Sequence, residues 1–505
     1  MSQSEQSAMF ERILQRYEPV IGLEVHTHLK TASKLFSPAP VEYGRDPNHD
    51  VHPIDIGLPG VLPVLNERVV DLAIRLGLAT HSTVNLRSVF SRKNYFYPDL
   101  PKGYQISQYE EPIVSDGWLE IDHSGGATSA DAEGARARQR VGITRAHLEE
   151  DAGKSVHDSA VAGSDDTRID LNRAGVPLLE IVSEPDLRSA EAASAYLKTL
   201  RQLLRSIEVS DADMEKGQFR CDANVSLRKR GQTEFGVRTE IKNLNSFANV
   251  EGAIRAEIIR QSELLDDGIE VVQATMHFDA DRGRTSVMRL KENADDYRYF
   301  DDPDLIPLLI SKDRIEVIRS EMPELPDEKR ARFESQYALS SKDAGLLVAQ
   351  GGVADFFEAT AQNCASSKTA FNWIARDLTK ELNEQSIEVE ASLCKPEDLA
   401  ALIGLVESGR LTARNARDLL TDLVSGGGDP EALMAERGLE AVSDSSLIEG
   451  FVDEVIASNE AAVESVKGGD DKPLNFLMGK VMQATQGKAS PGEVRTRLIE
   501  KIRGE

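Results

Sequence analysis

Residues 22–26 read GLEVH, and the alternation of a strand places Glu24 and His26 on one side with Leu23 and Val25 on the other. With the apolar side backed onto a core, a carboxylate and an imidazole face outward, which is how a ligand-binding face begins. A lone Glu-x-His is more often an ordinary surface strand, so the reading depends on whether the device recurs.

It does recur, at distant places in the chain. In RCDANVSL, Cys221, Ala223, Val225 and Leu227 face one way while Arg220, Asp222, Asn224 and Ser226 face the other. Glu240 and Lys242 stand two apart in TEIKN, and Glu180 and Glu184 share one face of the otherwise apolar PLLEIVSEPD. The acidic triplet Glu149, Glu150 and Asp151 ends a further strand-like run, GITRAHLEED. Each of these alone fits a half-buried strand showing polar residues to water. Carboxylates joined by His, Asn or Lys on strand after strand predict instead one concave sheet whose polar face binds a charged, metal-bearing ligand.

At 505 residues the chain has room for two or three domains, each able to bury a core. With 85 acidic against 59 basic residues and a net charge of −26, it is no uniformly basic nucleic-acid binder, and any polyanion contact must rest on local patches. Cys221, Cys364 and Cys394 form no C-x-x-C pair, which supports neither a zinc knuckle nor a disulfide scaffold. The opening MSQSEQSAMFERIL shows no basic region followed by an apolar stretch, and no apolar run is long enough to span a bilayer, so a cytoplasmic protein without membrane contact is expected.

The pattern predicts an α+β fold: an N-terminal mixed or antiparallel β-sheet cradle with helices over residues 1–320, an all-α helical domain over 321–428, and a small helical tail over 429–505. Two helices stand out in the cradle. One follows Ser189 and carries Ala193, Leu197, Leu200, Leu204 and Ile207; the other runs from Ser246 through Val250, Ile254, Ile258 and Leu265 to Gly268. The Ala/Gly-rich stretch 124–140 reads as a hairpin excursion without chemistry. Pro323 and Pro326 mark the change to helical periodicity, and Gly426, Gly427 and Gly428 mark a second break.

LEEDAGKS, residues 148–155, ends like a phosphate-binding loop, but Leu148 stands where the first glycine is required and acidic residues fill the positions between. Such carboxylates would repel phosphate unless a cation intervened, so a Walker loop is excluded. They suit Mg²⁺, which prefers oxygen ligands and bridges carboxylates to phosphates; Lys154 then either meets a phosphate or pairs with its acidic neighbours. His26 is less suited to Mg²⁺ and could orient a water or a substrate carboxylate. The loop FSRKNYFYPDLPKGYQISQYEEP, residues 90–112, mixes aromatics with Lys93 and Lys102, which suits a base or an unpaired tRNA end, or else a satellite core. The last helix carries Arg495, Arg497, Lys501 and Arg503 beside Val494, Leu498 and Ile502, either a phosphate patch or a solvated face.

GLEVH with KTASKLFS, IGLPGVLPVLN, RKNYFYPDLPKGYQISQ, ITRAHLEEDAGKS, DLNRAGVPLLEIVSEPD, RCDANVSLR, EIKNLNSF and DDYRYF together resemble the B-subunit family of bacterial aspartyl/glutamyl-tRNA(Asn/Gln) amidotransferases. LTARNARDLL and NFLMGKVMQATQGKASP are similar to that family's YqeY-like region, so the resemblance runs from about residue 18 to 503. The chain departs from the family mainly in the Ala/Gly-rich insertion, and without N-terminal cysteines no zinc is expected.

The resemblance implies an ATP-dependent ligase working in a heterotrimer with an amidase (the A subunit) and a small C subunit. Its substrates are misacylated Glu-tRNA(Gln) and Asp-tRNA(Asn), whose side-chain carboxylate is phosphorylated so that ammonia from the amidase can form the amide. By the same resemblance Glu24, His26, Glu150 and Glu180 belong to the Mg²⁺ and substrate site, with Glu149 as a substitute for Glu150. Glu240 and Lys242 join the catalytic group, and Asp222 and Asn224 are expected to bind substrate or nucleotide. Lys93, Tyr95, Tyr97 and Lys154 are expected to hold nucleotide or the tRNA acceptor end, and Lys488, Arg495, Arg497 and Lys501 to bind tRNA in the tail.

The chain lacks the long Gly/Ser-rich signature of an amidase with its Ser-Ser-Lys arrangement, so a partner must supply ammonia. It also lacks the HIGH- and KMSKS-type peptides of class I synthetases. Two other functions remain compatible with the residues: a non-catalytic tRNA-binding scaffold, and a metal-dependent ATP ligase for a small-molecule carboxylate.

Overall fold

The computed structural model describes residues 3–123, 137–156, 167–290, 297–441, 445–468, 472–485 and 488–504. Most of the expected excursion at 124–140 therefore lies outside the described residues; positions 137–140 begin a long strand. The chain divides into two compact units, Met1–Leu325 and Pro326–Glu505. The first is α+β and the second helical, the fold class expected from the alternating patterns.

In chain order the strands are β1 (Tyr17–His28), β2 (Thr83–Val84), β3 (Arg87–Ser88), β4 (Ser91–Asn94), β5 (Tyr104–Ser107), β6 (Val114–His123), β7 (Ala137–Glu150) and β8 (Lys154–Val156). They continue as β9 (Arg168–Asp170), β10 (Pro177–Ser183), β11 (Phe219–Lys229), β12 (Thr239–Leu244), β13 (Ala274–Asp279), β14 (Arg284–Leu290), β15 (Phe300–Asp301) and β16 (Leu308–Leu309). Helices α1 (Gln3–Arg16), α2 (Glu67–Ala79), α3 (Ala190–Ser206), α4 (Phe247–Asp266) and α5 (Lys312–Ser320) complete the unit.

Nine strands form one sheet in the order β14-β13-β12-β11-β1-β10-β7-β6-β2. Its pairs are antiparallel except β12 with β13, which run parallel and are joined by α4, the kind of crossover that a parallel pair requires. Strand β1 lies at the centre. It pairs with β11 on one side, where Glu24 faces Asp222 and His26 faces Arg220, and with β10 on the other, where His26 faces Glu180.

Each strand's phase decides what the two faces carry. Ile21, Leu23 and Val25 of β1 join Cys221, Ala223 and Val225 of β11 and Ile181 of β10 in a fully buried core. Helices α3 and α4 cover that face, their side chains recurring at helical spacing and their first turns capped by Ser189 and Ser246, whose hydroxyls accept from Ala192 and Asn249 N–H. Leu197, Leu200, Leu204, Ile254 and Ile258 are at 0 % exposure, and each such side chain contributes roughly 2 kcal/mol of burial. The opposite face keeps the carboxylates and imidazoles.

The second unit holds two separate cores. Phe333, Phe357, Ile374, Leu402 and Leu419 belong to the first, and Ile448, Val466, Leu477, Leu498 and Ile502 to the second. The helix Pro430–Glu436 follows the triple glycine yet packs Met434 into the first core, so that core extends beyond the break expected at residue 428. Among the described residues no helix is long and apolar enough to cross a membrane.

Candidate active site

On the polar face of the sheet, His26 from β1, Glu149 from β7 and Glu180 from β10 each offer a ligand atom, all within 4.8 Å of one another. His26 Nε2 lies 3.3 Å from Glu180 Oε2 and 4.0 Å from Glu149 Oε1. A second imidazole, His147, faces the same carboxylates at 3.4 Å from Glu180 and 3.7 Å from Glu149. Beside it, Glu24 of β1, Asp222 of β11 and Glu240 of β12 form a second triplet within the same 4.8 Å. Lys242 Nζ sits inside it, 2.7 Å from Asp222 Oδ2 and 2.9 Å from Glu240 Oε1, and Asn224 Nδ2 donates to Glu24 Oε1 at 2.9 Å.

The electrostatics follow from crowding charges out of water. Burial and the neighbouring carboxylates of Glu180, Glu240 and Asp222 raise the Glu24 carboxyl, against the opposing pull of Lys242. Burial would also raise Glu180, but His147 and His26 overcome it and hold that carboxyl well below its usual range. Burial alone would lower His147, yet Glu180 and Glu149 push it up to about 9. Lys93 behaves alike: burial is outweighed by Glu149 and Glu180, which raise its ammonium. A face that crowds buried carboxylates and answers them with its own cations is built to hold positive charge.

Glu149 and Glu180 with His26, and Glu24 with Asp222 and Glu240, are oxygen-rich donor sets of the sort that suit a hard divalent cation. The cluster also leaves polar atoms for further ligands: His147 Nδ1 and Asn224 Oδ1 are buried and have no hydrogen-bond partner among the described residues. Mg²⁺ thus fits the residues present.

The expectation for Glu150 requires correction. It shares the phase of Ala146 and Leu148, faces Pro177 rather than the polar residues of β10, and turns to the buried side. There its Oε1 accepts the Ile106 N–H at 2.9 Å and pairs with the Lys102 ammonium. Glu149, the named substitute, occupies the cluster instead. Glu184 lies one residue beyond the end of β10, where it is exposed and accepts from Thr144 Oγ1 at 2.7 Å instead of joining Glu180 in the cluster.

Lys93 and Tyr95 reach the site on and just beyond β4, which pairs with β5 and β15. Ser107 on β5 donates to Glu149 at 3.1 Å, which fixes this small sheet to the polar face. Tyr95 meets Tyr97 and Tyr297 edge-on at 6.0 and 6.3 Å, Lys93 Nζ lies 5.2 Å from the Tyr297 ring centre, and Tyr109 stacks on Tyr299 at 4.3 Å. Tyr97 is half exposed. Lys154 opens β8, which pairs with β9 and not with the large sheet, and it is exposed. In the tail, Arg497 lies 3.5 Å from Glu449 and Lys501 2.6 Å from Asp453, while exposed Arg495 and half-buried Lys488 have no acidic partner among the described residues.

Sequence reasoning missed His147, Tyr297 and Tyr299, together with an array formed by His28, Asp151, Arg173 and Arg220. His147 carried a signal, since it stands two before Glu149, as Glu24 stands two before His26. The tyrosines come from a segment about 200 residues beyond β4 and are placed by the pairing of β15 with β4 and by Asn94 Nδ2, which donates to the Tyr297 and Arg298 carbonyls at 3.1 and 2.8 Å.

A family model described as the GatB/GatE catalytic domain matches residues 19–316, and one described as the GatB domain matches residues 355–502. Curated relatives match along nearly their whole length. The B subunit of aspartyl/glutamyl-tRNA(Asn/Gln) amidotransferase from Alkalilimnicola ehrlichii is 49 % identical over 489 residues, covering 96 % of this chain and 99 % of the relative. The protein of the same name from Halorhodospira halophila is 49 % identical, covering 97 % and 100 %, and that from Oleidesulfovibrio alaskensis is 50 % identical, covering 96 % and 99 %.

Proposed function

The chain belongs to the GatB family of tRNA-dependent amidotransferase B subunits, and from that premise we propose that its polar sheet face is where the side-chain carboxylate of the misacylated tRNA is phosphorylated. The enzyme of this family is a glutamine-dependent, ATP-dependent carbon–nitrogen ligase of several subunits that converts misacylated Glu- or Asp-tRNA to its Gln or Asn form. The observation that carries the site assignment is the pair of three-residue groups, His26/Glu149/Glu180 and Glu24/Asp222/Glu240, held on one face by neighbouring strands.

A carboxylate resists attack because its charge repels a nucleophile and its oxygen leaves poorly. Transfer of the ATP γ-phosphoryl group forms a P–O bond to the carboxylate and breaks the one to ADP, after which ammonia displaces phosphate. Such transfers are catalysed by positioning and by cations that spread charge over the phosphoryl oxygens. Mg²⁺ held by His26, Glu149 and Glu180, with Glu24, Asp222 and Glu240 beside them, would supply part of that charge when bound.

The chain's own residues do the rest. Lys242 neutralises Asp222 and Glu240 and keeps their oxygens in place. Asn224 orients Glu24. Lys93 brings a permanent cation to the carboxylates of Glu149 and Glu180, and the surrounding tyrosines Tyr95, Tyr97, Tyr297 and Tyr299 offer ring faces and edges to a base of the nucleotide or of the tRNA acceptor end. Ammonia arrives from the amidase, the A subunit, with a small C subunit completing the assembly, and the tail from about residue 440 holds the tRNA through Lys488, Arg495, Arg497 and Lys501.

The deciding experiment reconstitutes the chain with its amidase partner and ammonium and follows ADP formation on Glu-tRNA(Gln) and on uncharged tRNA, for wild type and Glu149→Gln. The expected result is ADP formation that needs the glutamyl group and collapses in the variant while tRNA binding persists. Turnover without tRNA would point to a small-molecule ligase, and turnover indifferent to Glu149→Gln would leave the face a scaffold.

A further inference from the structure

Beside the carboxylate groups lies a concentration of positive charge. Asp151, at 5 % exposure, has its Oδ2 2.6 Å from Arg220 Nη2, 2.7 Å from His28 Nε2 and 3.5 Å from Arg173 Nε. One carboxylate thus gathers two guanidinium groups and an imidazole, in a chain whose net charge is −26. The other oxygen of Asp151 accepts the Ala152 N–H at 2.9 Å.

The two arginines are not equivalent. Arg173 donates to the carbonyls of Ala152 and Gly153 at 2.9 and 2.6 Å, so its fork is tied to backbone. Among the described residues Arg220 makes a single hydrogen bond, to Asp151, and its Nε is buried with no partner. An arginine set only to pin a carboxylate would be expected to grip it with two parallel bonds; this one leaves donors of its planar fork unspent. A buried N–H left unmade costs free energy, which selects for a ligand that completes it.

Position says what that ligand is. Arg220 stands on β11 directly opposite His26 on β1, and in such a pair the side chains leave the same face about 5 Å apart. The Arg220 side chain therefore leaves the sheet beside His26, which itself faces Glu149 and Glu180. We propose that Arg220 is a catalytic residue that clamps the phosphoryl group during its transfer to the substrate carboxylate, with Asp151 and His28 as positioning residues that hold the guanidinium flat. This rests on the phosphorylation assigned above to the polar face.

In the step, a carboxylate oxygen forms its bond to phosphorus, and the bond to ADP breaks with its electron pair leaving on ADP. Arg220 donates hydrogen bonds to the equatorial oxygens, and no proton leaves it. Arginine is the side chain suited to this, always charged and shaped for two oxygens at once.

The test uses the reconstituted amidotransferase and single-turnover ADP formation on Glu-tRNA(Gln) with Arg220→Ala and Arg220→Lys. Arg220→Ala is expected to slow the chemical step by about 10²- to 10³-fold, with Glu-tRNA(Gln) binding and the Mg²⁺-induced rise in Tm unchanged. Guanidinium added at millimolar concentration should restore part of the rate, whereas ammonium should not. Arg220→Lys should stay well below wild type, because a point charge cannot bridge two oxygens. A rate within about threefold of wild type for Arg220→Ala would overturn the proposal, as would a loss that tracks a lowered Tm and ignores guanidinium. Wild-type enzyme that forms no glutamyl-dependent ADP would instead remove the reading on which the proposal rests.

Discussion

Glu149 and Glu150 are neighbours in the chain whose carboxylates leave opposite sides of β7, Glu149 toward His26 Nε2 at 4.0 Å and Glu150 toward the Ile106 N–H at 2.9 Å. The consequence is a division of labour within two residues. Glu149 faces donor atoms of His26 and Glu180 that lie within 4.8 Å of its own; Glu150 is enclosed with Lys102, whose side chain is 5 % exposed, and ties β7 to the loop before β5.

The two glutamates should therefore fail differently. Glu149→Gln is expected to lower glutamyl-dependent ADP formation by at least about 10²-fold and to abolish the Mg²⁺-induced rise in Tm, with little change in the metal-free Tm. Glu150→Gln leaves a buried ammonium without its counter-charge and should destabilise the first unit by about 3 kcal/mol, while the surviving folded enzyme still responds to Mg²⁺. Thermal melts in EDTA and in Mg²⁺ separate the two, and equal behaviour would remove the distinction.

Lys242 stands where a cation would stand among Glu24, Asp222 and Glu240. Lys242→Met leaves these carboxylates crowded without a counter-charge, so Tm in EDTA should fall. Added Mg²⁺ should then recover more stability than it confers on wild type, because binding to the native state alone adds stability with ligand concentration. A response to Mg²⁺ no larger than that of wild type would mean that the ammonium does not substitute for metal in this group.

Much of this site was legible because strand alternation is rigid. The apolar phases of Leu23 with Val25 and of Cys221 with Ala223 and Val225 already assign Glu24, His26, Asp222 and Asn224 to one face. The same logic, applied within GITRAHLEED, puts Glu150 in phase with Ala146 and Leu148 and His147 in phase with Glu149; reading the acidic triplet as a unit hides that phase. Other features had no local signal. Glu184 is kept from the cluster because β10 ends at Ser183 and Thr144 binds its carboxylate, and the approach of Tyr297 and Tyr299 to Lys93 depends on strand pairing across about 200 residues. Helices α3 and α4 were the easiest elements, since a serine cap and a 3.6-residue stripe agree at each.

Away from the site, Glu257 is at 0 % exposure on α4 and accepts from Thr239 Oγ1 at 2.7 Å, Gln261 Nε2 at 2.9 Å, Thr285 Oγ1 at 2.8 Å and the Arg260 fork. Burial would raise its carboxyl, but Arg260 and the hydroxyl of Thr239 overcome it and hold it below the usual 4.5. A carboxyl depressed in the folded state contributes stability above its unfolded value and loses it as pH falls through the folded one. Glu257→Gln should thus cost about 1–3 kcal/mol at pH 7, and the gap to wild type should close below about pH 4. Hydrogen exchange of the α4 amides measures it locally; a gap independent of pH would show that the carboxylate's charge is not what pins α4 to β12.

In the tail, the stripe of Val494, Leu498 and Ile502 is spent on the small core with Ile448, Val466 and Leu477, so the outer face of the helix Pro491–Arg503 is left to solvent. The basic residues on that face are not equally available. Arg497 and Lys501 are engaged with Glu449 and Asp453, whereas Arg495 is exposed without an acidic partner among the described residues. A phosphate must compete with a carboxylate for the first two and with water alone for the third. Arg495→Ala should therefore weaken tRNA binding more than Arg497→Ala and lower the slope of log affinity against log salt by about 1. Neither variant should alter the Tm of the tail, because both guanidinium groups lie outside its core. Binding titrations at several salt concentrations decide the matter: an unchanged slope in Arg495→Ala would place the tRNA on another surface, and a larger loss in Arg497→Ala would mean that binding breaks the Glu449 pair and uses the freed guanidinium.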